Sequence, residues 1–243
     1  MSRIFITGST QGLGRNTAVE LLDAGHDVVV HARNAERARS LTDLMDRGAD
    51  VVVGDLSELT EVTKLADAVN RLGHMDAVIH NAGIIEGRAL LPVNVIAPYV
   101  LTALIDRPDR LIYLSSGMHT GGHPDLSGID WSGTRVTRTY SDTKLLVTAL
   151  TFYVARIWPG VMANAVRPGW VPTRMGGPEA TDDLRLGHVT QVWLATSDAP
   201  EAMVSGEYWF HQKILEPHPA TRDAEFQEQL VDALAAHTGV LLH

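Results

Sequence analysis

The sequence predicts an α/β fold in which a mostly parallel sheet carries helices on both faces. Short apolar runs alternate along the chain with segments whose apolar residues recur at helical spacing. The first apolar run leads into a helix through three glycines, and no part of the chain has the composition of a linker, a repeat or a low-complexity tract. These observations predict one doubly wound domain over residues 1–243, a length that α/β domains often reach.

The first half of the chain contains four predicted strands, at residues 3–7, 27–31, 51–53 and 77–80. Helices are predicted between them at 15–22, 35–46 and 55–72. Asn34 is expected to cap the second of these helices, and Gly48 is expected to end it.

The second half continues the alternation, with predicted helices at 94–105, 138–158, 191–196 and 222–237. Predicted strands lie at 110–114, 161–166 and 208–210. Such a succession requires a mostly parallel sheet, as in a Rossmann-like domain. Because ligands bind such sheets beyond the carboxyl ends of the strands, the residues that follow the strands should meet there. They are the glycine turn, Asp55, Asn81, Ser116 and Pro168.

The turn after the first strand, residues 7–14, predicts a phosphate-binding site. Gly8 permits a tight turn, Gly12 leaves room for a pyrophosphate beside the backbone, and Gly14 lets the helix approach the sheet. The free N–H groups at the start of the helix would face the anion. The remaining predicted contacts in this turn are Ser9, Gln11 and Leu13.

A tyrosine and a lysine four residues apart, Tyr140 and Lys144, are predicted to share one face of a helix. A phenol has an ordinary pKa of about 10, and a fixed cation nearby would lower it toward neutral pH. Tyr140 could then exchange a proton with a reacting oxygen. The alternative is a solvated surface pair, although Lys144 is one of only three lysines in the chain.

These segments together resemble the short-chain dehydrogenase/reductase family. The matching motifs are T-G-x-x-x-G-x-G at residues 7–14, Asn81-Ala82-Gly83, Ser115-Ser116, Tyr140-x-x-x-Lys144 and Pro168-Gly169-x-Val171-x-Thr173. They occur in the family's order over most of the chain. The first Asn of the family's N-N-A-G signature is replaced by His80, and the segment from Asn81 to Asn94 is shorter than usual.

The resemblance implies an oxidoreductase that transfers hydride between a nicotinamide dinucleotide and a carbonyl or alcohol. Tyr140 would be the acid/base and Ser116 would donate a hydrogen bond to the carbonyl oxygen, with Ser115 as its competitor. Lys144 would hold the ribose hydroxyls, and Asn94 would anchor a water relay unless it merely caps a helix. The other cofactor contacts that the resemblance implies are Asp55 and Leu56 at the adenine, Asn81, Ala82 and Gly83 along the cofactor, and Pro168, Gly169, Val171 and Thr173 at the nicotinamide. Alternatively, Asp55 has only a structural role as the N-cap of the following helix.

The end of the second strand favours NADP(H) over NAD(H). An acidic residue there would bind the ribose 2′-hydroxyl of NAD, whereas arginine accommodates the 2′-phosphate of NADP. The chain has Ala32 followed by Arg33, with no acidic neighbour. A guanidinium can bind a phosphate through paired hydrogen bonds.

The segment between Ser116 and Tyr140 is longer than usual in the family, at 140 − 116 = 24 residues. This insert and Ser205-Gly206-Glu207-Tyr208-Trp209 resemble the retinol-dehydrogenase branch, which implies a lipophilic or aromatic carbonyl substrate. Four large apolar residues are candidates to line the cleft: Met118, Trp131, Trp170 and Met175. His119 and His123 lack an acidic or thiol partner at ligand spacing, so no metal site is predicted.

Composition excludes several other classes of function. The net charge is −9 without a basic run, which argues against nucleic-acid binding, and no apolar run is long enough to span a membrane. The chain contains no cysteine, so disulfides and thiolate chemistry are absent. A cytoplasmic protein that binds a small-molecule substrate is expected, with a homodimer or homotetramer as the candidate assemblies.

Two rival functions remain. A catalytically silent NADP-binding sensor on the same fold should lack the tyrosine or the lysine, and this chain has both. A sugar-nucleotide epimerase or dehydratase is normally longer and carries a G-x-x-G-x-x-G turn, which is not found here.

Overall fold

A computed structural model describes all residues from 1 to 243 and shows one eight-stranded sheet. The strands stand in the order β3-β2-β1-β4-β5-β6-β7-β8, and every neighbouring pair is parallel except β7 with β8. Their bounds are β1 Arg3–Ile6, β2 Asp27–Ala32, β3 Asp50–Val53, β4 Ala77–His80, β5 Arg110–Leu114, β6 Met162–Val166, β7 Tyr208–Phe210 and β8 Lys213–Leu215.

Eight α-helices connect or cover these strands. Their bounds are α1 Gly12–Asp23, α2 Ala35–Ala38, α3 Thr42–Met45, α4 Leu59–Arg71, α5 Ala97–Leu104, α6 Tyr140–Ile157, α7 Val189–Thr196 and α8 Ala224–Thr238. A π-helical turn, Pro92–Ile96, leads directly into α5. None of the helices combines the length and the apolar composition needed to cross a lipid bilayer.

The sheet separates two apolar cores, because alternate residues of a strand point to opposite faces. In β1, Phe5 belongs to the larger core with α4, α5, α6 and α8, whereas Ile4 and Ile6 belong to the smaller core with α1 and α7. All three side chains are fully buried. Helices therefore cover both faces, as the sequence predicted.

Three elements differ most from the prediction. The single helix predicted at 35–46 is broken into α2, a 3₁₀ turn at Arg39–Leu41 and α3, although Asn34 does cap α2 by accepting a hydrogen bond from the N–H of Arg37 at 2.9 Å. The helix predicted from residue 55 begins only at Leu59. The antiparallel strand β8 was not predicted, because its three residues lie at the edge of the sheet and only partly pack.

The strand order reverses between β1 and β4, which places a crevice at the carboxyl ends of these two strands. Asn81 crosses this point, donating hydrogen bonds from its amide to the carbonyl oxygens of Thr7 at 2.8 Å and Gly8 at 3.2 Å. The N–H of Ala82 donates to the Thr7 hydroxyl at 3.0 Å. The glycine turn and the Asn81-Ala82-Gly83 segment are therefore one rigid unit.

Candidate active site

Two glycines of the turn meet the Asn81-Ala82-Gly83 segment at distances that exclude a side chain. Gly8 has a φ of +68°, and a Cβ there would lie 3.0 Å from the Cα of Ala82. A Cβ on Gly14 would lie 2.6 Å from the carbonyl oxygen of Gly8 and would overlap the Asn81 amide. The absence of a side chain at Gly14 therefore leaves room for the Asn81 amide and lets α1 lie close to the sheet.

The start of α1 fits a phosphate group. The first N–H groups of a helix have no acceptor inside the helix, and Gln11 at the N-cap position supplies no side-chain acceptor to them. Instead the Gln11 side-chain oxygen accepts a hydrogen bond from Arg37 at 3.3 Å. Gly12, with a φ of +58°, has only the Thr173 side chain within 4 Å of where a Cβ would lie. These features leave backbone donors open at the position where the sequence predicted a pyrophosphate.

Ser9 lies in the turn but faces the interior. Its hydroxyl donates to the Ile6 carbonyl oxygen at 2.6 Å, and its N–H donates to the carbonyl oxygen of His31 at 3.1 Å. The residue is fully buried. The structure thus gives Ser9 a role in shaping the turn, and a contact with the cofactor stays a prediction. Leu13 is half-buried against the smaller core.

His31 supports the glycine turn and was not predicted. Its Nδ1 accepts a hydrogen bond from the N–H of Gly8 at 3.0 Å, so its Nε2 carries the proton that is donated to the Gly54 carbonyl oxygen at 2.8 Å. Burial lowers the pKa of this imidazole, which is consistent with a neutral ring. The sequence offered no signal, because the hydrogen bond to Gly8 spans 23 positions.

Arg33 and Asp55 lie together at the ends of β2 and β3. The Arg33 side chain is 67% exposed, and its Nε lies 3.9 Å from the Asp55 carboxylate. Asp55 accepts hydrogen bonds from both the N–H and the hydroxyl of Ser57, so it closes a turn and does not cap α4. Leu56 is buried beside it. Arg37, which contacts Gln11, brings a second guanidinium to this end of the crevice.

The two serines after β5 have different roles. Ser115 is 2% exposed, and its hydroxyl is 2.7 Å from the Thr148 hydroxyl inside the fold. Ser116 is half-buried, and its hydroxyl oxygen accepts a hydrogen bond from the N–H of Met118 at 3.2 Å. The Ser116 hydroxyl therefore lies beside the Tyr140 phenol in the candidate site, whereas Ser115 serves the structure.

Tyr140 begins α6, and a capping box formed by Thr139 and Asp142 fixes this end of the helix. Burial raises the pKa of the Tyr140 phenol, and an interaction with the Ser116 hydroxyl opposes that rise. Tyr140 and Ser116 are thus neighbours, as predicted. The prediction that Lys144 lowers this pKa is wrong for the protein alone, because loss of solvation is the larger effect.

Lys144 is 4% exposed, which excludes the solvated surface pair. Its Nζ donates to the Leu114 carbonyl oxygen at 2.6 Å and lies 5.6 Å from the centre of the Tyr140 ring. Burial lowers the pKa of this ammonium to about 8. The side chain is therefore held in the site by β5 and α6 together.

Asn94 does not cap a helix, because it lies inside the π-helical turn and is 1% exposed. Its side-chain oxygen accepts from the N–H of Ile84 at 2.9 Å, and its amide donates to the Ile84 carbonyl oxygen at 2.9 Å and to the Thr143 hydroxyl at 3.0 Å. A Cβ on Gly83 would lie 3.4 Å from the Asn94 oxygen and 3.5 Å from the Lys144 ammonium. Asn94, Gly83 and Lys144 therefore converge, and the water relay stays a prediction.

The segment after β6 folds over the glycine turn. Gly169 follows Pro168 with a φ of +92°, and a Cβ there would lie 2.7 Å from the Asp182 carboxylate. Asp182 accepts from the N–H of Trp170 at 2.6 Å, which holds the segment closed. Val171 is buried, and its carbonyl oxygen accepts from the N–H of Thr173, whose methyl group faces Gly12.

The insert before Tyr140 packs against α6 and contributes a buried histidine. His119 is fully buried, with Nδ1 donating to the Ser116 carbonyl oxygen at 2.7 Å and Nε2 accepting from the N–H of His218 at 3.0 Å. Both ring nitrogens are used by the protein, and burial lowers the pKa of the ring. His119 thus ties the backbone of Ser116 to the segment before α8, a contact that sequence spacing could not indicate.

Comparison with known proteins decides the family. The sequence model described as short chain dehydrogenase matches residues 2–100. Over the whole chain the protein is 38% identical to the short-chain dehydrogenase chyC of Penicillium rubens, covering 99% of that relative. The chain belongs to the short-chain dehydrogenase/reductase family. It is an NAD(P)-dependent oxidoreductase that acts on CH–OH and C=O groups.

Two further relatives carry more specific names. DnrU of a Streptomyces species, named for a daunorubicin C-13 ketoreductase, is 30% identical over 97% of this chain and 92% of its own length. Retinol dehydrogenase 13 of Homo sapiens is 26% identical over 93% of this chain and 81% of its own length.

Solved structures share the fold. A protein from Mycobacterium paratuberculosis superposes with a TM-score of 0.83 at 23% identity, covering all of this chain and 95% of the other. The RhlG/NADP complex of Pseudomonas aeruginosa superposes with a TM-score of 0.68 at 22% identity, covering 85% of this chain and 93% of the other.

Proposed function

We propose that this short-chain dehydrogenase/reductase uses NADPH to reduce a ketone or an aldehyde to an alcohol. The observation that carries the proposal is the group of Ser116, Tyr140 and Lys144, gathered at the carboxyl ends of the strands beside the open start of α1. When bound, the dinucleotide supplies the hydride. Lys144 would hold the ribose hydroxyls of the cofactor.

The state of Tyr140 favours reduction as the working direction. A buried phenol with a raised pKa is protonated at neutral pH and can donate its proton to the oxygen that receives charge. Ser116, whose oxygen already accepts from Met118, would donate its own proton to the same oxygen. The reverse reaction requires the phenolate and should therefore need higher pH.

The preference for NADPH is supported by the surface at the end of β2. Arg33 is largely exposed, no acidic residue takes the place of Ala32, and Arg37 lies close to the glycine turn. Both guanidiniums could pair with a 2′-phosphate. RhlG, which has a similar fold, was solved as a complex with NADP.

A lipophilic or aromatic carbonyl compound is the proposed substrate class. Met118, Trp170 and Met175 expose 54%, 52% and 43% of their surface beside the site, and an apolar ligand would cover them. Trp131, by contrast, packs against the larger core. The name of DnrU, a ketoreductase, supports a ketone. The proposal further takes residues 1–243 as one cytoplasmic domain, with a homodimer or homotetramer as the assemblies to test.

The test is NADPH oxidation with a panel of aliphatic and aromatic ketones and aldehydes, for the native protein and three variants. Tyr140→Phe should abolish turnover, because the ring keeps its volume and only the transferable proton is lost. Ser116→Ala should lower kcat by roughly 10²–10³-fold, the effect of removing one hydrogen-bond donor to a developing oxyanion. Ser115→Ala is the matched control and should leave kcat within about threefold, since its hydroxyl bonds Thr148.

The dissociation constant of NADPH, measured by fluorescence titration, separates chemistry from cofactor binding. It should be unchanged in Tyr140→Phe. Native kcat in that variant would refute the proposed mechanism, and an equal loss in both serine variants would refute the assignment of Ser116.

A further inference from the structure

Arg167 is a half-buried arginine beside the candidate active site. It is the first residue after β6 and directly precedes Pro168 and Gly169. Its guanidinium lies against Gly117, the residue after Ser116, so that a Cβ on Gly117 would be 3.0 Å from the guanidinium carbon. One side of the guanidinium lies over the Phe210 ring, 4.5 Å from its centre.

The guanidinium of Arg167 has no hydrogen-bond acceptor in the protein. It forms no salt bridge. Its nitrogen atoms are accessible to solvent, because none of them is a buried polar atom without a partner. The carboxylates on neighbouring segments have other partners. Glu207 pairs with Arg222 at 3.1 Å, and Asp182 accepts from the N–H of Trp170.

The surroundings keep this cation in place without neutralising it. The guanidinium packs on the Phe210 ring, and Gly117 has no side chain that would displace it. The backbone N–H of Arg167 donates to the carbonyl oxygen of Trp209 at 2.8 Å, which fixes the start of the side chain. A fixed guanidinium with free edge donors matches the two oxygens of a carboxylate. Arg110 is buried more deeply, and its guanidinium donates to Asp198 and to two backbone carbonyl oxygens.

We propose that Arg167 is a specificity-determining residue that binds a carboxylate of the carbonyl substrate, so that the preferred substrates are oxo acids with an apolar body. This inference rests on the proposed function and narrows its substrate class. The exposed apolar side chains at the site would cover the body of the substrate, and Arg167 would orient its carbonyl toward Ser116 and Tyr140.

The experiment compares each substrate with its neutral counterpart. Acetylbenzoic acids with the acid at different ring positions and their methyl esters are reduced with NADPH by the native protein and by Arg167→Met, Arg167→Lys and Arg71→Met. Arg71 lies exposed at the end of α4 and has no ion pair, so its replacement is the matched change in net charge. A thermal melt and an NADPH titration accompany each variant.

The native protein should favour at least one acid over its ester by about 10–100-fold in kcat/KM, as expected for a charge-assisted contact. Arg167→Met should remove that preference by lowering kcat/KM for the acid alone, and Arg167→Lys should restore part of it. Arg71→Met should behave as the native protein.

Equal use of acids and esters by the native protein would overturn the role of Arg167 and leave the proposed reductase intact. An equal loss for acid and ester in Arg167→Met, with no recovery in Arg167→Lys, would also overturn it. If no acid, ester or other carbonyl compound is reduced, the proposed function itself fails.

Discussion

The side chain of Arg33 is two-thirds exposed and has one charged neighbour, the Asp55 carboxylate at 3.9 Å. An exposed ion pair at that distance contributes little stability, so the arginine can leave Asp55 for a better partner at small cost. A phosphate offers two or three acceptor oxygens in a geometry that suits a guanidinium. We therefore expect Arg33 to contribute most of the proposed preference for NADPH.

Arg33→Ala should lower kcat/KM for NADPH by roughly 10–100-fold, since a charge-assisted contact contributes about 1.5–3 kcal/mol. The value for NADH should change by less than threefold, because NADH has no 2′-phosphate. Arg39→Ala, at an exposed position on the neighbouring 3₁₀ turn, is the control for net charge. Equal use of NADH and NADPH by the native protein would contradict the assignment.

At this scale the sequence could identify candidate residues for the chemistry, but not the partners that hold them. The Tyr140 and Lys144 pair, and Ser116, could be predicted because helical spacing and position after a strand are local properties. His31, His119 and Arg167 could not, because their contacts with Gly8, His218 and Gly117 join distant parts of the chain. The pKa of Tyr140 was misjudged for the same reason, since burial is a tertiary property.

The element that carries the cofactor prediction is α1 with the turn before it. Gly14 lies in the first turn of α1, where the carbonyl oxygen of Gly8 and the Asn81 amide occupy the space a Cβ would need. Both obstacles belong to the unit that joins β1 to β4, so neither can move without disturbing the sheet.

Gly14→Ala should destabilise the fold by about 1–3 kcal/mol, the usual cost of overpacking, and should weaken NADPH binding because α1 shifts away from the turn. Gly160→Ala is the control, since Gly160 has negative φ and nothing lies within 4 Å of its added Cβ. That change should stay within about 0.5 kcal/mol. Urea unfolding and an NADPH titration measure both effects. Native stability in Gly14→Ala would show that the turn is more adaptable than its geometry indicates.

Sequence pattern predicted elements with continuous apolar spacing better than elements shaped by tertiary packing. The strand β5 and the helix α6 were predicted to within two residues because their apolar spacing is continuous. The break between α2 and α3 and the π-helical turn around Asn94 could not be predicted, since both depend on packing against other elements. The π-helical turn matters for the site, because it places the Asn94 amide between Ile84 and Thr143.

For the whole molecule, buried histidines should determine stability in acid. His31, His80 and His119 are each at most 3% exposed, and burial lowers the pKa of all three. His80, in the position where the family has asparagine, has its pKa lowered from 6.5 to about 3. Its ring stacks on Tyr113 with centres 4.6 Å apart, and one nitrogen lies 3.2 Å from the Thr102 hydroxyl, while Nδ1 has no partner.

The direction of the pH effect follows from where protons bind. Below pH 6.5 the unfolded chain protonates His80 and the folded chain does not, so the free energy of unfolding falls as the pH is lowered toward about 3. The slope for one such histidine is about 1.4 kcal/mol per pH unit. Well above pH 6.5 the residue is neutral in both states and contributes no slope.

His80→Asn should therefore flatten the pH dependence of unfolding by one proton. Between pH 6 and pH 5 its free energy of unfolding should fall by about 1.2 kcal/mol less than that of the native protein, even if the lost stacking on Tyr113 makes it less stable at pH 7. Urea unfolding at intervals between pH 5 and 8 measures both slopes. His237→Asn is the control, because this exposed side chain is solvated before and after unfolding. Parallel curves for the native protein and His80→Asn would mean that His80 is protonated in the folded state as readily as in the unfolded state. That result would contradict a neutral, buried His80 ring.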